Sequence, residues 1–452
     1  MLFTLPFLKG LFPDTKGAIH DQFIINQVTT DSRKPMSHAL FVPLVGDKFD
    51  GHAYMNQAIE QGAVATIWEK DKPLPKFLPT DFPVFFVKDT LIALQQLAQA
   101  YRLKINPTVI GVTGSNGKTT TKDLIATVLS SRYRTHYTNG NFNNHIGLPL
   151  TILSMPNDTE MLVLEMGMNH FGEMERLSNI SEPDIAVITN IGESHIEYLG
   201  SRAGIAKAKA EILSGLKVDG TLLIDGDEPL LLPYSEQVDT TKIGFDLSND
   251  IVIDQFNMHP LHSSFRLMAK DTYEIPLLGK HHAQNAAFAI QIAVKLGMEC
   301  KEIQQALLEV DRTGMRFEVM NGRGGVTLIN DAYNASPTSM KAAINVVKEI
   351  TGYERKIVVL GDMFELGNAS KEFHRSIADV LSLPIEYVCT IGEDAIEISK
   401  AVNKQNPLIH TKHFANKEEA ITFLEAYLDE QTLILVKASR GMQLETIIDR
   451  LL

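Results

Sequence analysis

The sequence predicts an α/β protein in three parts: a small α/β N-terminal domain, a central P-loop-type parallel-sheet domain and a Rossmann-like C-terminal domain. Three observations carry that prediction. Short β-branched runs alternate with amphipathic helical stretches along most of the chain, as parallel βαβ units require. A glycine-rich turn, Gly114-Ser115-Asn116-Gly117-Lys118-Thr119, follows one such run and opens a helix. The length of 452 residues suits two or three cores rather than one.

The first part runs over residues 1–87, with strand-like pieces ALFVPL (39–44), ATIW (65–68) and VFFV (84–87). A helical stretch, YMNQAIEQGA, lies between the first two and stops at Gly62. The second part, 88–314, opens with an amphipathic helix, DTLIALQQLAQAYRLK (89–104). Strands are expected at 108–112, 161–165, 184–189 and 221–225, with helices at 119–130, 201–216 and 282–296. Residues 240–278 show further, weaker β patterning. The third part, 315–452, alternates strands at 326–330, 356–362, 387–392 and 432–439 with helical patterns such as SPTSMKAAINVVKEI (336–350), a second open sheet.

Hydrophobic residues make up 44% and charged residues 21%, the balance of a soluble globular protein. A net charge of −13 argues against a nonspecific grip on nucleic acid. Cys300 and Cys389 stand far apart, outside any metal-ligand or disulfide framework, which fits a reducing cytoplasm. The apolar start MLFTLPFLKGLFP lacks the basic n-region and small-residue cleavage site of a signal peptide. No apolar run reaches the ~18 residues of a membrane span.

The glycine-rich turn is shorter than the general P-loop, because Val112 stands where that pattern has its first glycine. It keeps the physical essentials. Glycines let backbone N–H groups converge on phosphate oxygens at a helix N-terminus, where the dipole favours anions. Lys118 would neutralise the outer phosphates, and the Thr119 hydroxyl suits Mg²⁺. Glu165 ends an apolar strand, and His195 lies just beyond the next one. Both therefore fall at the carboxyl edge of the sheet, beside the phosphate loop. On a helical wheel Ile205, Ile212, Leu213 and Leu216 form a stripe that also contains Lys209. A buried lysine loses its proton readily and can take up carbon dioxide as a carbamate, an anionic ligand for a second Mg²⁺. A lysine snorkelling at the helix edge fits the wheel equally well.

GSNGKTT, TNGNFNNHIGLPLT (138–151), EMGMNHFGE (165–173), NIGESHIEYLGS (190–201), AKAKAEI, HHAQNAA (281–287), MRFE (315–318) and INDAYNASPTSM (329–340) together resemble the Mur ligases of peptidoglycan synthesis. DSRKPMSHALFVPLVGDKFDGH, DAYNASP and LGDMFELG (360–367) look most like the branch that adds D-alanyl-D-alanine to UDP-N-acetylmuramoyl-tripeptide. The likeness spans essentially the whole chain, in order. It implies a UDP-binding domain, an ATPase domain and a C-terminal domain that swings closed, with ATP and two Mg²⁺ ions as cofactors.

The resemblance also assigns residues. The family's carbamylated lysine falls fourteen residues after the motif histidine, which here is Lys209 after His195. Glu165, His195 and Thr119 match the Mg²⁺ site. Gly114, Ser115, Asn116, Gly117, Lys118, Thr119 and Thr120 form the phosphate loop. Asn285 matches the adenine contact, Arg316 the arginine reaching the terminal phosphate, and Asp331 a position in the nucleotide site of the closed enzyme. Asn141, Asn143 and Asn144 are expected at the muramoyl substrate, and Asp31, Ser32 and Arg33 at the UDP end. Asn334 and Ser336 are expected at the incoming dipeptide, with loop capping as the alternative for these last two groups. A monomer is expected. The long block ahead of the phosphate loop separates the chain from folylpolyglutamate-synthetase-like ligases, which begin close to theirs. A motor or regulatory NTPase would need a longer phosphate loop.

Overall fold

The computed structural model describes residues 2–19, 24–310 and 314–452. Three large sheets, in chain order, organise the described residues, with a two-stranded pairing of Phe3–Thr4 and Ile24–Ile25 besides. The first has five strands in the order Thr15–Lys16, Val84–Val87, Ala63–Glu69, Ala39–Phe41 and Gln27–Thr29, parallel except for the first. The expected 39–44 strand stops at Phe41, two residues before Pro43.

Helix Thr90–Ile105 joins this part to the next. Asp89 caps it by accepting a hydrogen bond from the Ile92 N–H at 2.9 Å, and left-handed Asn106 ends it. Its face of Ala93, Leu94, Leu97, Ala98 and Tyr101 is buried between Phe3, Leu40, Ile67 and Phe85 on one side and Leu148 and Ile152 on the other. Burying each of the leucines stabilises the fold by ~1.5–3 kcal/mol. The first two parts therefore share one hydrophobic core, although the expected limit at residue 87 falls between their sheets.

The central sheet has nine strands, ordered Asp271–Ile275, Ser263–Leu267, Ile251–Met258, Asp239–Gly244, Thr221–Asp225, Ile185–Ile188, Thr108–Thr113, Met161–Glu165 and Thr135–Tyr137. The strands run parallel except at the Ile251–Asp271 end, where the last pairings are antiparallel. Thr108–Thr113 lies third from the Thr135–Tyr137 edge with parallel neighbours on both sides, so the loop after it opens on the carboxyl edge. Helix Lys118–Ser130 packs against helix Lys280–Lys295 through Leu124, Ile125, Val128 and Leu129 against Ala283, Ala286, Ala287 and Ile290.

One expected element changes form. The helix predicted over 201–216 is α-helical only from Arg202 to Ala210 and continues as a 3-10 turn, Glu211–Gly215. Neighbouring groups pull it tight. Ser178 donates to the Ile212 carbonyl and accepts from the Gly215 N–H, while Glu211 caps the N–H groups of Gly172 and Glu175.

The third sheet runs Glu318–Asn321, Thr327–Asn330, Thr432–Lys437, Arg355–Gly361, Tyr387–Ile391 and His410–Phe414, parallel except for its first pairing. Its order reverses beside Thr432–Lys437, where the carboxyl ends face the central sheet's phosphate loop.

Candidate active site

The phosphate loop is shaped from behind by the strand beside it. Asn190 accepts from the Ser115 N–H (3.0 Å) through its carbonyl and from the Asn116 N–H (2.9 Å) through its side chain. Thr189 Oγ1 donates to the Asn116 carbonyl at 2.6 Å. That close approach explains Gly114, since a Cβ there would stand 1.9 Å from Thr189 Oγ1. Gly117 sits at φ 79°, with Asn285 Oδ1 2.8 Å from where its Cβ would be. Asn285, which sequence patterning alone does not single out, thus lies against the loop.

Lys118 folds back over the loop and donates to the carbonyls of Gly114 (2.8 Å) and Ser115 (3.2 Å). Burial pushes its pKa down; Glu165 opposes that shift and Arg316 adds to it. Thr119 Oγ1 donates to Glu165 Oε2 at 2.7 Å, and Asn143 Nδ2 donates to Glu165 Oε1 at 2.8 Å. Lys209 is only 2% exposed, and its amine has no hydrogen-bond or ion-pair partner among the described residues. Burial, then repulsion from Lys118, drives its pKa well below the usual lysine range. The helical wheel's two alternatives therefore resolve: Lys209 is buried and does not snorkel.

The third body supplies the opposite wall. The Arg316 guanidinium lies 4.1 Å from the Tyr333 ring centroid, a cation–π contact. Asp331 accepts from the Phe317 N–H at 3.1 Å and pairs with Lys437 Nζ at 2.6 Å. Asn334 lines the cleft and accepts from Lys437 through its carbonyl. Ser336 behaves otherwise than as a substrate-binding hydroxyl. It is buried, caps helix Pro337–Glu349 and donates to Asn116 Oδ1 across the cleft at 3.1 Å. Asn144 Oδ1 is likewise engaged, accepting from the N–H groups of Ile146 and Gly147 just ahead of helix Gly147–Leu153. Asn141 lines the cleft beside it.

These walls enclose about 500 Å³. Ser115 Oγ, Asn116 Nδ2, His282 Nδ1 and Arg316 Nε are buried without partners among the described residues. Orphaned donors beside Lys118, Arg316 and Lys437 suit an anionic, oxygen-rich ligand such as a nucleotide triphosphate. The hydroxyl and carboxylate of Thr119 and Glu165 are the hard oxygen donors Mg²⁺ prefers. No three His, Cys, Asp or Glu side chains converge among the described residues, so such an ion would need phosphate, carbamate or water oxygens as well. Lys437, Glu193, Tyr333, Glu365 and the His281–His282 pair escape sequence reasoning. All but Lys437 lie in the quoted motifs NIGESHIEYLGS, HHAQNAA, INDAYNASPTSM and LGDMFELG, which carry no stated role for these residues.

Asp31, Ser32 and Arg33 stand apart from this cleft. They line a separate cavity of about 940 Å³ between the first and central bodies, with Phe49, Tyr54, Asn139 and Phe142. Arg33 makes a two-pronged pair with Asp31 (2.8 and 3.0 Å), which holds the Asp31 pKa at about 2. Ser32 Oγ donates to Gln57 Oε1 at 2.8 Å.

Models of known protein families match residues 24–102 (Mur ligase family, catalytic domain), 112–293 (Mur ligase middle domain) and 315–440 (Mur ligase, glutamate ligase domain). The chain belongs to the Mur ligase family. It is 46% identical to the UDP-N-acetylmuramoyl-tripeptide–D-alanyl-D-alanine ligase of Bacillus subtilis (strain 168), over 98% of each chain. Among solved structures, this Mur ligase superposes on MurF from Acinetobacter baumannii with TM-score 0.88 and 28% identity, covering 99% and 98% of the two chains. MurF ligase from Thermotoga maritima in complex with ADP gives TM-score 0.84 and 28% identity, covering 96% and 98%. The three-part α/β fold and the ligase class agree with the sequence expectations.

Proposed function

We infer that this Mur ligase joins D-alanyl-D-alanine to UDP-N-acetylmuramoyl-tripeptide at the expense of ATP, the last cytoplasmic amide-forming step in making the peptidoglycan precursor. The observation that carries the mechanism is the two-walled cleft, with Lys118 on the central body and Arg316 on the third facing the same volume. The tripeptide's terminal carboxylate attacks the γ-phosphate of ATP, forming an acyl phosphate and releasing ADP. The dipeptide amine then attacks the acyl carbon, and inorganic phosphate leaves. A carboxylate has a poor leaving group, and phosphorylation supplies a good one.

The protein's part is positioning and charge balance. Lys118 and Arg316 offset the negative charge that gathers between carboxylate and triphosphate, and the phosphate-loop N–H groups from Gly114 to Thr120 hold the chain of phosphates. When bound, two Mg²⁺ ions would be held by Thr119, Glu165, His195 and a Lys209 carbamate and would neutralise phosphate charge. The unpartnered, buried amine of Lys209 is what supports the carbamate. Asn285 serves the adenine, Asp331 fixes Lys437 beside the nucleotide, and closure of the third body excludes water from the acyl phosphate.

We assign residues 1–87 to the UDP moiety, 88–314 to ATP and 315–452 to the incoming dipeptide. The cavity around Asp31, Ser32 and Arg33 supports the first assignment, with phenyl and phenol rings for a base and a cation for pyrophosphate. Asn141 and Asn143 serve the muramoyl-peptide, and Asn334, beside Lys437, the dipeptide. A single chain is the working unit, since one chain supplies both walls. The free thiols of Cys300 and Cys389 support a cytoplasmic setting, and no helix among the described residues is long and apolar enough to cross a membrane.

Phosphate release from ATP, measured with UDP-muramoyl-tripeptide in the presence and absence of D-alanyl-D-alanine, tests this function. Release should require the tripeptide and be accompanied by muramoyl-pentapeptide only when the dipeptide is present. Nucleotide hydrolysis that never yields pentapeptide would sink it.

A further inference from the structure

His195 sits in the segment that follows strand Ile185–Ile188, and the third body grips that segment at neighbouring points. The Glu193 carboxylate accepts from the Thr338 N–H (3.1 Å) and from the Thr338 hydroxyl (2.8 and 2.9 Å). The Glu197 N–H donates to the Glu365 carbonyl at 3.3 Å. Between them, Glu365 Oε2 lies 2.5 Å from His195 Nδ1. Nδ1 and the carboxylate are therefore in direct polar contact, outside ideal hydrogen-bond alignment. His195 itself is held at φ 64°, a left-handed conformation that persists in a non-glycine residue where its surroundings impose it.

The two partners belong to different bodies. His195 rides on the central sheet, whereas Glu365 lies in the loop after strand Arg355–Gly361 of the third. With Nδ1 facing Glu365, Nε2 is the nitrogen left for a ligand in the cleft that His195 lines. A carboxylate on the distal nitrogen of a ligating histidine fixes its tautomer and ring orientation and raises its basicity. When that carboxylate rides on a moving body, it leaves as the body opens.

We propose that Glu365 is a positioning residue that orients His195 for cation binding only when the third body is closed, so that the cation site is completed by closure. This rests on the ligase function above. By reciprocity, a cation bound more tightly in the closed state favours closure by the same factor. Glu193 offers the natural comparison: it bridges the same gap two residues away without touching the ring.

Mn²⁺ serves as the probe, its free concentration read by electron paramagnetic resonance and closure by a fluorophore pair on the central and third bodies. Wild type, E365A, E365Q and E193A are compared with a non-hydrolysable ATP analogue alone, and with the analogue plus UDP-muramoyl-tripeptide and dipeptide. In wild type, Mn²⁺ affinity should rise on closure. E365A should lose about 10–100-fold in the closed state, the range seen for outer-shell partners of metal ligands, with open-state affinity unchanged. E365Q should fall between, and E193A, among its closed molecules, should keep wild-type affinity. Equal Mn²⁺ affinity of closed E365A and wild type, or an equal fall in both states, overturns the proposal. Should E365A stay open, E365Q decides, and wild-type affinity in its closed state is then the overturning result. Pentapeptide synthesis by wild type in the same preparation separates failure of this proposal from failure of the ligase function.

Discussion

Lys118 lines the cleft, Lys209 lies buried close behind it, and burial treats the two differently. Lys118 keeps carbonyl partners from Gly114 and Ser115 and a favourable field from Glu165, which opposes the downward push of burial on its pKa. Lys209 has none of these; burial, then repulsion from Lys118, drives its pKa well below the usual lysine range. Lys118→Ala should lower ligation by at least about 10²–10³-fold, the usual loss for a preorganised donor at developing charge, with the melting temperature little changed. Steady-state pentapeptide formation checks this, and near-normal turnover would remove Lys118 from the chemistry. Lys209→Ala should be nearly inactive yet partly restored by added short carboxylates such as acetate or formate, which replace the carbamate's oxygens. Full activity without rescue would make Lys209 an ordinary core residue. Its burial was half legible in the sequence: the stripe placed it near apolar neighbours, but no periodicity reveals which carboxylates are absent around it.

Among the elements, the turn from strand Thr108–Thr113 into helix Lys118–Ser130 depends most on its glycines. Gly117→Ala would put a methyl at left-handed φ, at a cost of ~1–2 kcal/mol, and push it against Asn285. Nucleotide affinity should fall at least tenfold, measured by calorimetry with ADP; unchanged affinity would show that the loop yields. Strands such as Met161–Glu165 and Thr221–Asp225 are legible to the residue because buried parallel strands are continuous apolar runs. Thr135–Tyr137 has three residues, too few to show a period, and exists because it pairs with Met161–Val163. The 3-10 end of the 201–216 stretch is equally invisible, since Ser178 and Glu211 impose it from outside the local pattern. Ser336 follows the capping alternative for a similar reason. The Ser-Pro opening of a helix is a capping signal, and the cap takes the hydroxyl.

At the scale of the whole molecule, the parts are joined in two different ways. The first and central bodies share a dry core around helix Thr90–Ile105, a junction that does not come apart without unfolding. The central and third bodies meet at the cleft through polar contacts, Asn116 with Ser336, Glu193 with Thr338 and His195 with Glu365, beside a smaller apolar contact of Leu278, Ile196 and Met258 with the third body's core. The polar contacts exchange readily for water, as a moving interface needs. One of them is made by the phosphate loop itself. Ser336 rests on Asn116, and Arg316 and Asp331 line the same cleft, so a nucleotide held by the proposed site would leave only once the third body swings away through solvent. Friction with the surrounding liquid should then set the pace of the catalytic cycle, and thickening the buffer with sucrose should slow turnover roughly in proportion to relative viscosity. A pace indifferent to viscosity would instead place the slow step in bond making.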